Sequence, residues 1–172
     1  MHIEFYGATS GITGSCHIIR ANGQLVLLDC GLIQGRREET ERNHLPFPFA
    51  PEEISAVVLS HGHIDHSGRI PLLVKQGYQG PVYAHNATCD LCRILLQDSA
   101  SLQERDAQYE NKWRQRKGKP LVEPLYTVSD AERARMAAIP GAVALSLGPR
   151  ILRADTAAVA ALTLWQDRLG DW

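Results

Sequence analysis

From residue 3 to residue 84 the apolar positions fall in short runs separated by glycine, asparagine and proline, the pattern of strands joined by tight turns. The runs 3–6, 16–20, 24–29, 55–60 and 81–84 are rich in Ile, Val, Leu and Tyr and read as strands. Between the last two, Ser67 to Lys75 predicts a short helix. Ile70, Leu72, Leu73 and Val74 would face inward, and Gly77 follows as a left-handed C-terminal residue. From Asn86 to about Lys117 the pattern is that of one long helix. Leu91, Ile94, Leu95 and Leu102 recur there at helical spacing before polar residues take over, so the second half should leave the core. Pro120 and Pro124 bound an extended loop, and Ser129-Asp130-Ala131-Glu132 has the form of a capping box opening another helix. Strands interleaved with helices predict an α/β protein. Residues 131–164 hold eleven alanines, broken by Pro140-Gly141 and Gly148-Pro149 into weak strand candidates, and the composition shifts there.

A chain of 172 residues is one domain long and can bury a core. The 44% apolar and 22% charged contents are ordinary for a globular protein, and no apolar run approaches the ~20 residues that span a bilayer. Met1-His2-Ile3-Glu4-Phe5 has neither a basic nor an apolar leader region, so a cytoplasmic setting is expected, with no membrane partner. Four cysteines do not make a disulfide framework at this length, and Cys16, Cys30, Cys89 and Cys92 are expected as thiols. Cys89-x-x-Cys92 stands alone in a helical pattern, which favours core packing over a zinc knuckle. A net charge of −1 gives no global attraction to nucleic acid. Lys112, Arg114, Arg116, Lys117 and Lys119 gather around Trp113, where phosphates and one stacked base are conceivable contacts. A solvated helix end explains the same run and is the preferred reading.

The densest chemistry lies in Leu59-Ser60-His61-Gly62-His63-Ile64-Asp65-His66-Ser67-Gly68, three imidazoles and a carboxylate directly after an apolar run. Histidines at i and i+2 of an extended segment project to the same side, so His61 and His63 can grip one cation. Asp65 and His66 belong to the turn that opens the next helix and can face a second. Nitrogen-rich ligands with one carboxylate suit zinc. Two such ions about 3.5–4 Å apart suit phosphoester cleavage. A chance gathering of histidines is the rival reading, disfavoured by the density of the string.

This string resembles the signature of the metallo-β-lactamase fold. Gly7-Ala8-Thr9-Ser10-Gly11-Ile12-Thr13-Gly14-Ser15-Cys16-His17 and Leu27-Leu28-Asp29-Cys30-Gly31 narrow the resemblance to the β-CASP RNA-processing branch. It is close from Ile3 to about Arg133, so residues 1–134 read as family-like, residues 135–172 as divergent, and the β-CASP domain as absent. The resemblance implies an α/β fold of the αββα sandwich type, incomplete because this is its N-terminal portion. It also implies zinc-dependent hydrolysis of RNA phosphodiester bonds. His61 and His63 would hold one zinc and Asp65 and His66 the other, with Asp29 orienting the metal loop; Asp65 and Asp29 are the candidate catalytic carboxylates. Thr13, Gly14 and Ser15 are candidates for a rim that meets substrate phosphate, although such loops also serve tight strand connections. His17 could approach the metals, His85 should make a structural hydrogen bond, and His2 and His44 read as surface residues.

The family's Gly-His-Ile-Leu-Gly-Ser motif has its nearest echo in Gly148-Pro149-Arg150-Ile151-Leu152-Arg153, and no histidine follows His85. Arg150 cannot ligate zinc, because its guanidinium has no lone pair to give. The family's bridging aspartate would fall beyond Trp172. A catalytic zinc takes about three protein ligands, so of the family's two zincs at most one tight site is expected here, with weak or no turnover. Alternatives are a small-molecule metallo-hydrolase of the same fold, a non-catalytic metal-binding fragment, or a subunit whose site is completed by a second copy or another chain.

Overall fold

A computed structural model describes residues 1–9, 11–134 and 136–138, all within one compact unit, Met1–Ile139. Strands β1 (His2–Phe5), β2 (His17–Ala21) and β3 (Gln24–Leu28) run antiparallel. Asn22 and Gly23 make the β2–β3 turn with φ of 50° and 74°, the left-handed pair that a two-residue hairpin needs to match strand twist. Strands β4 (Ile54–Val58), β5 (Val82–Ala84) and β6 (Met136–Ala138) then add in parallel, giving a six-stranded sheet in the order β1 to β6.

Parallel neighbours require crossovers. β3 reaches β4 through α1 (Arg37–Thr40) and two single 3₁₀ turns at Glu41–His44 and Pro51–Glu53. β4 reaches β5 through α2 (Ile64–Ser67) and α3 (Ile70–Lys75), and β5 reaches β6 through α4 (Asn86–Arg116) and α5 (Val128–Glu132). Ile18, Leu25, Leu27, Ile54, Val57, Val82 and Ala84 line the covered sheet face, against Ile70, Leu73, Cys92, Leu96 and Tyr126. Ile54 and Val57 are three residues apart and would face opposite ways in a regular strand; a register shift between Leu25 and Val26 brings both inward. Each fully buried Leu, Ile or Val contributes roughly 1.5–3 kcal/mol. On the other face the paired row Leu28, Val58, Tyr83 is only half covered. One sheet with one helical layer is the incomplete αββα sandwich that the resemblance implies. No described helix is long and apolar enough to cross a membrane.

The helices depart from the sequence reading in three places. The expected helix from Ser67 to Lys75 is two pieces, α2 and α3, and Asp65 and His66 lie inside α2. The capping box belongs to Thr127 and Asp130 rather than to Ser129: the Thr127 side chain accepts from the Asp130 N–H, and the Thr127 N–H donates to Asp130 at 2.8 Å. The buried stripe of α4 is Cys89, Cys92, Leu96 and Ala100, while Leu91, Ile94 and Leu102 face outward. Gly77 takes its expected place after α3, at φ 112°. The echo motif at 148–153 and the strand candidates beyond 138 lie outside the described residues.

Candidate metal centre

Val58 ends β4, and residues 60–63 form the loop that carries the first two histidines. The loop closes where the backbone N–H groups of His66 and Ser67 both donate to the His63 carbonyl at 3.0 Å, joined by the Ser67 hydroxyl at 3.0 Å. Two further segments clamp it, one ahead of β2 and one after β3. Ser15 N–H donates to Asp65 O at 2.9 Å, Cys30 N–H to His66 O at 2.8 Å, and Leu32 N–H to Ile64 O at 3.0 Å. Gly31 permits this approach, because a β-carbon there would lie 1.6 Å from the Asp65 carbonyl oxygen. The glycine of the Leu-Leu-Asp-Cys-Gly run is thus a contact surface for the His-x-Asp-His turn. Buried Arg69 donates from Nε to Gly31 O at 2.8 Å and stacks its guanidinium over Phe47, which pins the same junction.

Asp29 is the hub of the side-chain network. It sits at φ 62°, a left-handed conformation that Asp tolerates better than most residues, and it is buried. Its carboxylate accepts from Ser60 N–H at 2.8 Å, the Ser60 hydroxyl at 2.9 Å, the Ser15 hydroxyl at 3.1 Å and His66 Nδ1 at 2.7 Å. A carboxylate cannot donate, so the proton of that last bond belongs to His66 Nδ1 and the lone pair to Nε2. Nε2 faces Asp65 Oδ2 at 3.7 Å. The Ser60 hydroxyl, having given its proton to Asp29, accepts from His61 Nδ1 at 3.0 Å, which assigns His61 the same tautomer.

The rings of His61 and His63 have centroids 4.6 Å apart, and those of His61 and His66 are 4.1 Å apart. Burial pushes the His61 pKa down, and the neighbouring His66 and His63 push the same way, which favours the neutral ring. The four motif residues therefore stand together, and imidazole nitrogens with one carboxylate are donors of the kind zinc prefers. A separation of 3.7 Å between His66 Nε2 and Asp65 Oδ2 suits two ligands that each reach one ion at about 2.0–2.2 Å. Among the described residues no three His, Cys, Asp or Glu side chains form a group able to hold one ion. The donor set fits a metal in kind and supplies pairs.

The glycine-rich opening is bonded into the fold. Thr13 exchanges hydrogen bonds with the Gln34 backbone at 2.9 Å each way, Gly14 packs on Ile33 at φ 82°, and Ser15 is committed to Asp29. Thr13 and Gly14 do line a cavity of about 320 Å³, shared with Tyr6, Arg42 and Arg69. His17 packs edge-on against Phe5, and His85 Nδ1 caps α4 by accepting from Ala87 N–H at 3.3 Å. Cys89 and Cys92 are buried in the core. Ser60 escaped the sequence reading. Its adjacency to His61 was the available signal, but only the approach of β3 to β4 shows what its hydroxyl joins.

The metallo-beta-lactamase superfamily model matches residues 10–146. A second model, described as an RNA methyltransferase domain, matches residues 127–166, across the segment where the composition shifts. A ribonuclease of Thermus thermophilus is 49% identical over 104 residues, 60% of this chain and 24% of that protein. A transcription termination factor of Methanococcus maripaludis is 36% identical over 104 residues, covering 60% and 16%, and Integrator complex subunit 11 of Danio rerio is 31% identical over 99 residues, covering 54% and 16%. The chain therefore spans a quarter or less of the length of these relatives. Among solved structures, a subclass B3 metallo-beta-lactamase from a soil metagenome is 22% identical with a TM-score of 0.40, over 80% of this chain and 44% of that one. Membership of a metallo-enzyme superfamily implies metal ions. With the model matching most of the chain and the His-x-His-x-Asp-His turn clamped beneath Asp29, this protein belongs to the metallo-beta-lactamase superfamily.

Proposed function

We propose that residues 1–134 carry the metal loop of a zinc-dependent hydrolase acting on RNA phosphodiester bonds in the cytoplasm. In this reading the chain as it stands binds at most one zinc tightly and turns over weakly or not at all. The observation that carries the proposal is Asp29, 2.7 Å from His66 Nδ1, in a chain 49% identical over 104 residues to a ribonuclease. His61 and His63 would hold one ion, and Asp65 and His66 the other. When bound, zinc supplies activation of water and neutralisation of phosphoryl charge. Asp29 acts as a positioning residue: it keeps the proton on His66 Nδ1 so that Nε2 offers its lone pair, and through Ser60 it does the same for His61. Asp65 contributes the charge that matches the site to a cation.

Residues 135–172 are proposed to have an origin separate from the hydrolase portion, on the support of the RNA methyltransferase match at 127–166. A separate origin explains why the echo motif has Arg150 where the family has histidine. Resequencing of the coding DNA tests it; a continuous frame that restores the histidine overturns it.

The rival is a small-molecule metallo-hydrolase, since the metal loop does not choose a substrate. Zinc content should be measured beside hydrolysis of a labelled RNA, a thioester and a lactone, with His63→Ala as control. A single zinc, with RNA turnover absent or faint and any turnover lost in the control, is the expected result. Two zincs with full RNA turnover lost in the control would overturn the incomplete-site reading. Turnover on the thioester or lactone alone would favour the rival, and no zinc at all would end the metal reading.

A further inference from the structure

Helix α4 buries Cys89, Cys92, Leu96 and Ala100, and the opposite face looks outward along its whole length. Toward its C-terminal end that outward face changes from Leu91, Ile94 and Leu102 to Arg105, Tyr109, Lys112, Trp113 and Arg116, spaced at i, i+4, i+7, i+8 and i+11 and so aligned on one side. Tyr109 is 81% exposed and Trp113 48%, a large aromatic surface left in water. Gly118 at φ 64° then turns the chain back and brings Lys119 over the Trp113 ring, with Nζ 4.8 Å from its centroid.

The charge here is concentrated. Residues 105–119 hold six cations against Asp106 and Glu110, a surplus of four in a chain whose net charge is −1, so everything else sums to −5. Arg114 is spent within the fold, paired with Glu110 at 2.7 Å and donating to Pro120 O at 3.0 Å. Lys112, Arg116, Lys117 and Lys119 are left around the two aromatics together with Arg105, whose Nε donates to Ser101 O at 3.3 Å, and Asp106 is the acid remaining in the segment. The negative end of the helix dipole accounts for cations in the last turn. It does not account for Arg105 and Lys112 higher up, nor for two exposed rings one turn apart.

We propose that this end of α4 is a binding surface for single-stranded RNA, with Tyr109 and Trp113 stacking on bases and the five cations meeting phosphates. Charge complementarity commits the surface to a polyanion, and the stacking rings commit it to unpaired bases. The choice of RNA rests on the function proposed above. Leu91 abuts Gly62 of the metal loop, and Trp113 lies 22 residues further on, roughly 33 Å along the helix at 1.5 Å per residue. A strand held here is therefore anchored well away from the loop, and short oligonucleotides bind the surface without reaching it.

The test is fluorescence anisotropy of a labelled oligouridine over a salt series with EDTA present, using the full chain, Tyr109→Ala, Trp113→Ala and the double variant Lys112→Gln/Arg116→Gln. The altered side chains are solvent-facing, and far-UV circular dichroism checks that each variant is folded. Each aromatic substitution should weaken binding about tenfold or more, with the salt slope unchanged. The double charge variant should reduce that slope by about 1.4. Aromatic variants that bind within twofold of the parent, or a parent that does not bind, would overturn the proposal. Binding that depends on both rings in a chain that takes up no zinc at all keeps this surface and removes the hydrolase reading. Cleavage lost in His63→Ala but indifferent to both rings does the reverse.

Discussion

Replacing Asp29 by asparagine isolates what its carboxylate does. Asparagine has the same shape and tolerates the left-handed backbone at φ 62°, so no strain is added. The carboxylate receives donors from Ser60 N–H, Ser60 Oγ, Ser15 Oγ and His66 Nδ1, at 2.8, 2.9, 3.1 and 2.7 Å. The amide keeps one acceptor oxygen, and its NH2 group cannot accept from Ser60 N–H or His66 Nδ1–H. One or two bonds to a charged acceptor are lost, each worth about 1.5–3 kcal/mol in a buried place. Some of this is recovered if His66 moves its proton to Nε2 and accepts at Nδ1, but that tautomer takes away the lone pair facing Asp65. We expect Asp29→Asn to lose about 2–3 kcal/mol of unfolding free energy without metal, near 1 M in urea midpoint for a domain of this size. Zinc affinity should fall about 10–100-fold, as for other groups that orient a metal-binding histidine. Urea titration by circular dichroism, competition with a chromophoric chelator, and ¹⁵N shifts of the His66 ring read the three effects. An unchanged midpoint with the Nδ1–H tautomer retained would refute the hub role of Asp29.

Three further outcomes follow from the same geometry. Gly31→Ala places a β-carbon 1.6 Å from Asp65 O and should lower the melting temperature by many degrees, whereas Gly11→Ala, with nothing within 4 Å, should leave it unchanged; equal melting temperatures would contradict the clamp. Burial alone would raise the Asp130 pKa, but the Thr127 N–H and hydroxyl and the Arg133 guanidinium outweigh it and hold the pKa below its ordinary value. Its contribution is therefore present above the unfolded-state pKa of about 4 and lost as pH falls through the folded value, so the urea-midpoint gap between the parent and Asp130→Asn should narrow from pH 7 to pH 3. The four cysteines are buried, and the Cys30 thiol, donating its S–H to Cys16 and shut away from water, is pushed well up; native-state alkylation should be negligible and rise only with denaturant.

Much of the site could be read in the linear chain because its chemistry is local. The His-x-His-x-Asp-His string lies within six residues, and backbone geometry over so short a span brings the side chains near one another in almost any fold that keeps a strand before it and a helix after it. The strands were legible for the same reason, their alternation and turn residues being nearest-neighbour properties. Helix α4 was legible as an element but not in its facing: large leucines suggested the buried side, yet Cys89, Cys92, Leu96 and Ala100 lie inside, because which side of a helix meets the core is decided by how it docks. Tertiary contact also decided what Gly31 packs against, what the Ser60 hydroxyl joins and which donors Asp29 accepts from. Each depends on residues 14 to 37 positions away, brought together when β3 lies beside β4. A residue's neighbours along the chain determine its local conformation, but a buried hydrogen bond between distant segments is specified only once the sheet has chosen its register.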